Sequence, residues 1–377
     1  MTATPVDLDA IRAQLPAEFL ERLAQVWNTA DELTEVLRSF AVPKRVGFRV
    51  NPLRGDAEGI WAELLGTTAL AGGQYGPGLT VERIPWLPEA GIVERAQRQL
   101  LLKLPATVEG RIYVQGLSSM LAVMALDPRP GQEILDLAAA PGGKTLMIAA
   151  RMQQQGRLAA VEAVRERFYK LQANLRHYGA DQVKTYLADG RTIGAKTPGR
   201  FDAVLLDAPC SAEARFHIDR PESWARWSLR KVREQARKQV GLLRSALESV
   251  RVGGHVLYCT CSMAPEENEL VIQHQLDAFP ESVEIEEMEL PISRFRSGLT
   301  AWGDRALDPR LARARRLIPD ATWDAFFLCR LVKIQPLPHE RSAGREHQSR
   351  QYPAGHDRVR QRTPGSHRGG SHRRGRR

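Results

Sequence analysis

Between residues 113 and 333 the chain alternates short apolar runs with longer stretches of helical periodicity, and that alternation leaves few folds open. Strand-like runs fall at 132–137, 157–161, 183–187, 201–206 and 254–259, and helix-like runs at 116–126, 144–154, 164–178, 231–250 and 266–278. Strand and helix in regular succession build a mostly parallel sheet with helices on both faces, an α/β fold of Rossmann-like type. A last apolar run, AFFLCRLVK at 325–333, predicts one more strand. No internal repeat interrupts the pattern.

The flanking segments read differently. Residues 6–40 have helical spacing, with Leu8, Ile11, Leu15, Phe19, Leu23 and Val26 on one stripe and Pro16 dividing it. RVGFRVN at 45–51 alternates like a strand, 57–66 suggests a short helix, and Gly- and Pro-rich loops are expected at 72–78 and 85–91. Residues 1–112 are therefore expected to form a small α/β domain outside the chemistry, with the main domain over 113–335. From 336 onward Pro, Gly, His and Arg dominate, which predicts a disordered basic tail over 336–377. That tail carries eleven arginines against Glu340, Glu346 and Asp357, so most of the net charge of +10 sits on it. The charge suggests a polyanionic partner, but the folded part is close to balanced. The tail fits either non-specific phosphate binding or a solubilising role.

No run of about 18 apolar residues exists, so no membrane span is expected. MTATPVDLDA at the start lacks the basic and apolar regions of a signal peptide. Cys210, Cys259, Cys261 and Cys329 are too few and too clustered for a disulfide framework, which fits a reducing cytoplasm. The single residue between Cys259 and Cys261, with no His pair following, argues against zinc and leaves no metal expected. Monomer is the default expectation.

The segment EILDLAAAPGGKT at 133–145 runs from an apolar strand through Gly142 and Gly143 into a helix. Glycines there let the backbone approach a ligand, and in open α/β sheets ligands bind beyond the carboxyl ends of the strands. A phosphate-cradling P-loop would need glycine at 138, where Ala138 stands, and G-x-G-x-x-G is absent. A nucleoside-type ligand without pyrophosphate remains. Glu162 ends the second strand, about 20 residues past the glycines, where an acid can hold ribose hydroxyls. Asp189, after the third strand, is placed for an adenine edge.

VLLDAPCSAE at 204–213 sets Asp207 and Cys210 just past the fourth strand, and HVLYCTCSMAPEENE at 255–269 sets Cys259 and Cys261 just past the fifth. A free Cys is commonly inert core. Two at neighbouring strand ends, beside an acid and a Gly-rich loop, favour nucleophilic chemistry. Such a set suits methylation of cytosine carbon 5, a poor nucleophile until a thiolate adds at carbon 6. Asp207, protonating ring N3, and a base that removes the carbon-5 proton complete the roles.

YVQGLSSM (113–120), DLAAAPGGKT (136–145), LLDAPCS (205–211), YCTCS (258–262), PEENE (265–269) and RVN (49–51) resemble the Sun-type cytosine-5 RNA methyltransferase family, which includes bacterial ribosomal RNA methyltransferases and their eukaryotic relatives. The resemblance implies a class I methyltransferase domain using S-adenosylmethionine, with RNA as partner, ribosomal rather than transfer RNA. It implies Cys261 as nucleophile, from the Thr-Cys motif, whereas DNA cytosine methyltransferases use the Pro-Cys motif, here Cys210. Cys210 would assist product release, with Asp207 and Lys144 beside the base. Ala138, Ala139, Ala140, Pro141, Gly142, Gly143, Lys144, Glu162, Arg167, Asp189 and Asp207 would hold the cofactor. The chain departs from the family pattern at Ala138 and at Cys259, where Cys and Ser are common. SAEARF stands in place of a Gly-rich stretch, and Ala325 in place of Gly. Glu213 leans towards the ribosomal RNA branch. Pro265, Glu266 and Glu267 are explained by a helix first turn, and Trp224 and Trp227 by core packing or by stacking on a base. The same chemistry on transfer RNA, another acceptor such as protein, or a non-catalytic ribosome assembly factor are the alternatives.

Overall fold

The computed structural model describes residues 7–70 and 79–340, with side chains from 66 to 70 left aside. The expected loop at 72–78 and nearly all of the expected tail lie outside those residues. One compact unit runs through Leu337.

The first sheet has order β2-β3-β1-β4, where β1 is Val46–Val50, β2 Glu82–Ile84, β3 Leu87–Val93 and β4 Ile112–Val114. All of β1 is buried, on both faces. Phe48 and Val50 pack on Ile60, Trp61 and Leu64 of the helix Ala57–Leu70. On the other face Gly47 lies so close to the segment after β4 that a Cβ there would sit 2.4 Å from the Gln115 carbonyl oxygen.

The loop expected at 85–91 is instead a β2–β3 hairpin with its turn near Pro85 and Trp86. Pro88 misled the reading because it cannot donate to a ladder. It lies beyond the stretch of β3 that pairs with β1, Ala90–Val93, so no ladder bond is lost. Gly91 reflects packing, since a Cβ would lie 2.8 Å from the Phe48 ring and 2.9 Å from Trp61.

The second sheet has nine strands. Its parallel core is β9-β8-β5-β6-β7, made of β5 Glu133–Asp136, β6 Arg157–Glu162, β7 Lys184–Leu187, β8 Phe201–Asp207 and β9 Val250–Thr260. These strands and the helices 117–126, 143–151, 165–177 and 229–249 fall where the alternation predicts them, to within a few residues at their ends. Both sheet faces are covered: Leu121, Leu146, Ile148 and Leu171 pack on one, Leu243, Ala246, Leu247 and Ile272 on the other. The parallel α/β sheet with helices on both faces is the Rossmann-like architecture that the alternation predicts.

The C-terminal part of the sheet is antiparallel and was not foreseen beyond its last strand. β10 (Val283–Glu286) and β15 (Phe326–Lys333) pair, β15 joins β9, and β14 (Arg315–Leu317) and β11 (Phe295–Ser297) extend the edge. A two-stranded ribbon, β12 (Ala301–Trp302) with β13 (Arg305–Ala306), stands apart.

Helices Leu8–Gln14 and Ala30–Ser39 start at Asp7 and Thr29, whose side chains accept backbone N–H groups, and Ala17–Val26 follows Pro16 without a side-chain cap. Their apolar stripe does not serve the first sheet. Ile11, Phe19, Leu23 and Phe40 pack with Phe216, Trp224 and Met263, roofing the loops that follow β8 and β9.

Beneath that roof, Arg316 of β14 forms a two-point ion pair with Glu269, at 2.7 Å for Nε to Oε1, and its Nη1 donates to the Met263 carbonyl at 2.9 Å. The two side chains are 2% and 0% exposed. Removing one partner strands a buried charge, so Glu269→Ala is expected to cost about 3–5 kcal/mol. Urea unfolding checks this; a loss under about 1 kcal/mol, in the range of a surface pair, contradicts the burial argument.

Candidate active site

The strand order reverses at β5: β6 and β7 follow on one side, β8 and β9 on the other. Ligands bind at the carboxyl ends of strands flanking such a reversal. The loop after β5 and the loop after β8 open there onto a cleft of ≈ 720 Å³.

The β5 loop is held from several sides. The backbone N–H groups of Leu137 and Ala139 donate to Leu205 and Val161 carbonyls, both at 2.9 Å. The Thr145 hydroxyl donates to Asp136 Oδ2 at 2.6 Å. Burial pushes the Asp136 carboxyl up to about 7, against the opposing effect of that hydrogen bond. Arg167 donates to the Ala140 carbonyl at 2.6 Å and Asn174 to that of Pro141 at 2.8 Å. Gly142 takes φ +109°, a conformation other residues rarely adopt, and opens the helix 143–151. Gly143 is pressed by Tyr113, whose ring would lie 3.0 Å from an added Cβ.

Most of the expected site residues meet in this cleft. Ala138, Ala139, Ala140, Pro141, Gly143, Lys144, Arg167, Asp207, Cys210 and Cys261 line it. Gly142 supports the loop from behind. Glu162 is 3% exposed; its Oε1 accepts the Val164 N–H at 2.9 Å, and Oε2 has no hydrogen-bond donor, only Arg167 at 3.5 Å. Asp189 lies off the cleft wall, where Arg191 holds its carboxylate at 2.6 Å and 3.0 Å and keeps it below the usual carboxylate range. Trp224 and Trp227 do not line the cleft. They pack with Phe19 and Phe216, and Trp227 Nε1 donates to Glu213 at 2.8 Å, which selects packing over base stacking.

The sulfur atoms of Cys210 and Cys261 are 3.4 Å apart. Their environments set the two thiols apart. The contact with Cys210 draws the Cys261 thiol below its ordinary value against the effect of burial, with help from Arg215 and Lys144. The same contact, then burial and the nearby Glu267, push Cys210 well above its ordinary value. Cys261 is thus the more acidic thiol of the pair. Cys259, fully buried, is held well above the ordinary thiol value by burial and then by Asp207, to whose Oδ1 it donates at 3.7 Å. Cys329 is buried and likewise raised. Lys144 Nζ donates to Asp207 Oδ2 at 2.7 Å and lies 5.5 Å from the Phe326 ring centroid. Burial disfavours its charge, but Asp207 and Cys259 outweigh that and raise it above an ordinary lysine.

Several residues escaped the sequence reading. Tyr113, Gln115, Ser118 and Ser119 line the cleft, as do Arg215, Asp324 and Phe326. The first four lie in YVQGLSSM, a segment that carried the resemblance but no assigned role. Glu213 and Glu267 form a buried brace behind the two thiols. Glu267 accepts the Ser211 N–H at 2.9 Å, the Ser211 hydroxyl, Gln239 Nε2 at 3.1 Å and the Ser262 hydroxyl at 2.6 Å. Glu213 accepts the Met263 N–H at 2.8 Å and contacts the same Ser262 hydroxyl at 3.2 Å. Burial raises both carboxyls, Glu267 to about 7. Ser211 and Ser262 follow the two cysteines directly, so this brace fixes both loops. It goes beyond the helix first turn expected for Glu267, which lies in the short turn Pro265–Glu267 ahead of the helix Glu269–Ala278. Among the described residues no His, Cys, Asp and Glu group could hold a metal ion.

A Rossmann-like sheet with a Gly-rich loop at its reversal point is the architecture of a class I methyltransferase. Residues 123–332 match the family model described as 16S rRNA methyltransferase RsmB/F, and the chain belongs to that family. It is 35% identical over 332 residues to the ribosomal RNA small subunit methyltransferase F of Shigella dysenteriae serotype 1, covering 86% of this chain and 64% of that one. The protein of the same name from Cronobacter sakazakii is 33% identical, with 86% and 65% covered. The chain thus spans just under two thirds of the length of these relatives. A methyltransferase homologue of known structure from Pyrococcus horikoshii is 31% identical, with TM-score 0.72 over 88% of this chain and 99% of that one.

The thiol pair sets a prediction. Cys210→Ala removes the contact that draws the Cys261 thiol down, so the pH midpoint for alkylation of Cys261 by iodoacetamide is expected to move up. The rate at pH 7 is expected to fall severalfold, mapped by mass spectrometry of the labelled peptide. An unchanged midpoint contradicts that role of Cys210.

Proposed function

We propose that the protein transfers a methyl group from S-adenosylmethionine to carbon 5 of a cytosine in ribosomal RNA. The observation that carries this reading is the contact between the Cys210 and Cys261 thiols, facing the β5 loop across one cleft. Names of the relatives support ribosomal RNA as the substrate class.

The residues present fit the cofactor. The orphaned Glu162 Oε2 at the end of β6 is an acceptor in want of hydroxyl donors, and the backbone from Ala138 to Gly143 gives the close approach. Arg167, Lys144 and Asp207 flank that cradle, with Asp189 for the adenine edge once it parts from Arg191. S-adenosylmethionine supplies an electrophilic methyl group there.

The chain's own residues do the rest. Cys261 adds to carbon 6 of the cytosine and makes carbon 5 enamine-like. Lys144, whose ammonium donates to Asp207, and that carboxylate together pass a proton to ring N3. Once Cys261 is a thioether, Cys210 loses its partner thiol and can give its proton to solvent. The Cys210 thiolate then takes the carbon-5 proton, the carbon 5–carbon 6 double bond reforms as the bond from Cys261 to carbon 6 breaks, and ring N3 returns its proton to the Lys144–Asp207 pair. A target base leaves any stack to reach this depth.

On this reading residues 113–335 carry the transfer, 1–112 position the RNA, and the basic tail from 336 adds phosphate contacts. The protein acts as a cytoplasmic monomer on RNA within a ribosomal subunit. Among the described residues no helix is long and apolar enough to cross a membrane.

Radiolabelled methyl transfer to unmodified total RNA tests the proposal. Wild type is expected to yield labelled 5-methylcytosine and Cys261→Ala to lose at least about a thousandfold, as an essential nucleophile does. Cys210→Ala is expected to accumulate a covalent protein–RNA band on a denaturing gel. Full activity in Cys261→Ala overturns the nucleophile. Label confined to transfer RNA moves the substrate, and a protein that binds cofactor but transfers to no RNA is an assembly factor.

A further inference from the structure

The helix Leu229–Ser249 opens without an acid and with two cations in its first turn, Arg230 and Lys231. Its N-cap is Ser228, whose hydroxyl accepts the Lys231 N–H, and no acid lies in its first turn. Instead Arg230, Lys231, Arg233, Arg237 and Lys238 crowd its first half. The positive end of a helix dipole disfavours cations, each by a few tenths of a kcal/mol or more. By contrast, acids occupy the first turns of the helices at 8–14, 17–26, 30–39, 57–70 and 165–177. Across the turn and helix from Arg215 to Lys238, eight Lys and Arg stand against Asp219, Glu222 and Glu234. The rest of the folded chain is close to balanced, so this segment concentrates positive charge.

The charge is presented, not neutralised. Arg230, Arg233 and Arg237 share one exposed face, while Val232, Gln239, Leu242 and Leu243 bury the opposite one. Arg230 pairs with Glu234 at 3.2 Å. Arg215, Arg226, Arg233, Arg237 and Lys238 form no ion pair among the described residues. No ion pair accounts for those five cations, and Arg230 and Lys231 in the first turn stand against the helix dipole.

The row is also anchored to the cleft. The helix leads directly into β9, so its first turns stand at the edge where the strands end and the cleft opens. Gln239 Nε2 donates to the carbonyl of Pro209, a residue of the cleft wall, at 2.8 Å. Trp227, just before the helix, ties to Glu213 beside Ser262. Arg215 lines the cleft itself. From Arg230 to Lys238 the row extends about 12 Å.

We infer that this basic ridge, Arg215 at the cleft and Arg230, Arg233, Arg237 and Lys238 along the helix, binds the phosphodiester backbone of the RNA strand whose base enters the cleft. The inference rests on the function proposed above and adds the path the strand takes. Anionic phosphates relieve the repulsion between the cations and the helix end, which gives the row a favourable partner that the free protein lacks. Such contacts position the strand and carry no sequence information.

The test compares wild type with the triple variant Arg233→Gln, Arg237→Gln, Lys238→Gln. Gln keeps helix propensity, and the three side chains are exposed and form no ion pair among the described residues, so an unchanged Tm is expected. Binding to an unmodified 16S rRNA transcript is measured directly across a salt series, with methyl transfer read in parallel. The triple variant is expected to show roughly tenfold or weaker binding at 0.1 M salt. Its slope of log K against log salt is expected to be shallower by about 2, from three lost contacts to single-stranded phosphates. KM for RNA rises while kcat at saturating RNA is kept. Lys184→Gln with Lys196→Gln, two cations beyond the opposite edge of the parallel strands, is expected to leave the slope near that of wild type. A wild-type slope in the triple variant overturns the proposal, as does an equal loss in the control pair. If wild type binds RNA but transfers no methyl group, the proposed function fails while the ridge is still judged by the binding data.

Discussion

The site depends on the register between β8 and β9. Asp207 pairs with Cys259 across that parallel ladder, and Leu206 with Tyr258. Beyond the last pair both chains turn out of the sheet, and the third residue past Asp207 meets the second past Cys259 with sulfur atoms 3.4 Å apart. A slip of one residue would swap the faces of every side chain on β9. Tyr258 or Thr260 would then take the place of Cys259, now buried against Asp207. The burial of Val256, Leu257 and Tyr258 on alternate faces of a sheet covered on both sides prevents such a slip. Ordinary core packing thereby sets a chemical distance.

Packing fixes the strands, but the thiols sit on loops, and loops need their own restraint. Glu267 reaches from the turn after β9 to the Ser211 N–H on the β8 side, and with Glu213 it brackets Ser262. Burial raises both acids, Glu267 to about 7, and the hydrogen bonds each accepts oppose that effect. Desolvation makes carboxylate charge costly here, so the brace depends on the donors of Ser211, Ser262 and Met263. Of the two thiols it is Cys210 that Glu267 pushes up.

The parallel sheet was legible because strand and helix periodicities switch cleanly between 132 and 260, with Gly142–Gly143 at one switch and the cysteines at two others. Gly142, Gly143, Asp207, Cys210 and Cys261 followed from their places at strand ends, and Ala138 to Pro141 and Lys144 from the family resemblance. What stayed hidden depends on contacts distant in sequence. Nothing local to Glu267 distinguishes a helix-opening acid from a buried brace, since Ser211 lies far upstream. Tyr113, Gln115 and Phe326 reach the cleft from β4, its following turn and β15, elements without a chemical signature of their own. The β2–β3 hairpin was concealed by Pro88 and Gly91, whose usual meaning as loop residues was overridden by an unpaired stretch and by two aromatic rings. The helices of residues 8–39 announced an apolar stripe but not its partner, which is the roof over the cysteine loops rather than the first sheet.

The charges around the cleft then follow one logic. Negative groups near the two thiols are held by donors, as Asp207 is by Lys144 and Glu267 by Ser211 and Ser262. Arg215 within the cleft and Arg233 and Arg237 on the helix 229–249 form no ion pair among the described residues. A field of this sign lowers the energy of a thiolate and of an arriving polyanion alike. It repels neither, because thiolate and phosphates are set at different depths, with the cations between them and water. If the basic row binds RNA as inferred, the cations at the helix start and the buried thiol of Cys261 are both local costs that the bound strand offsets.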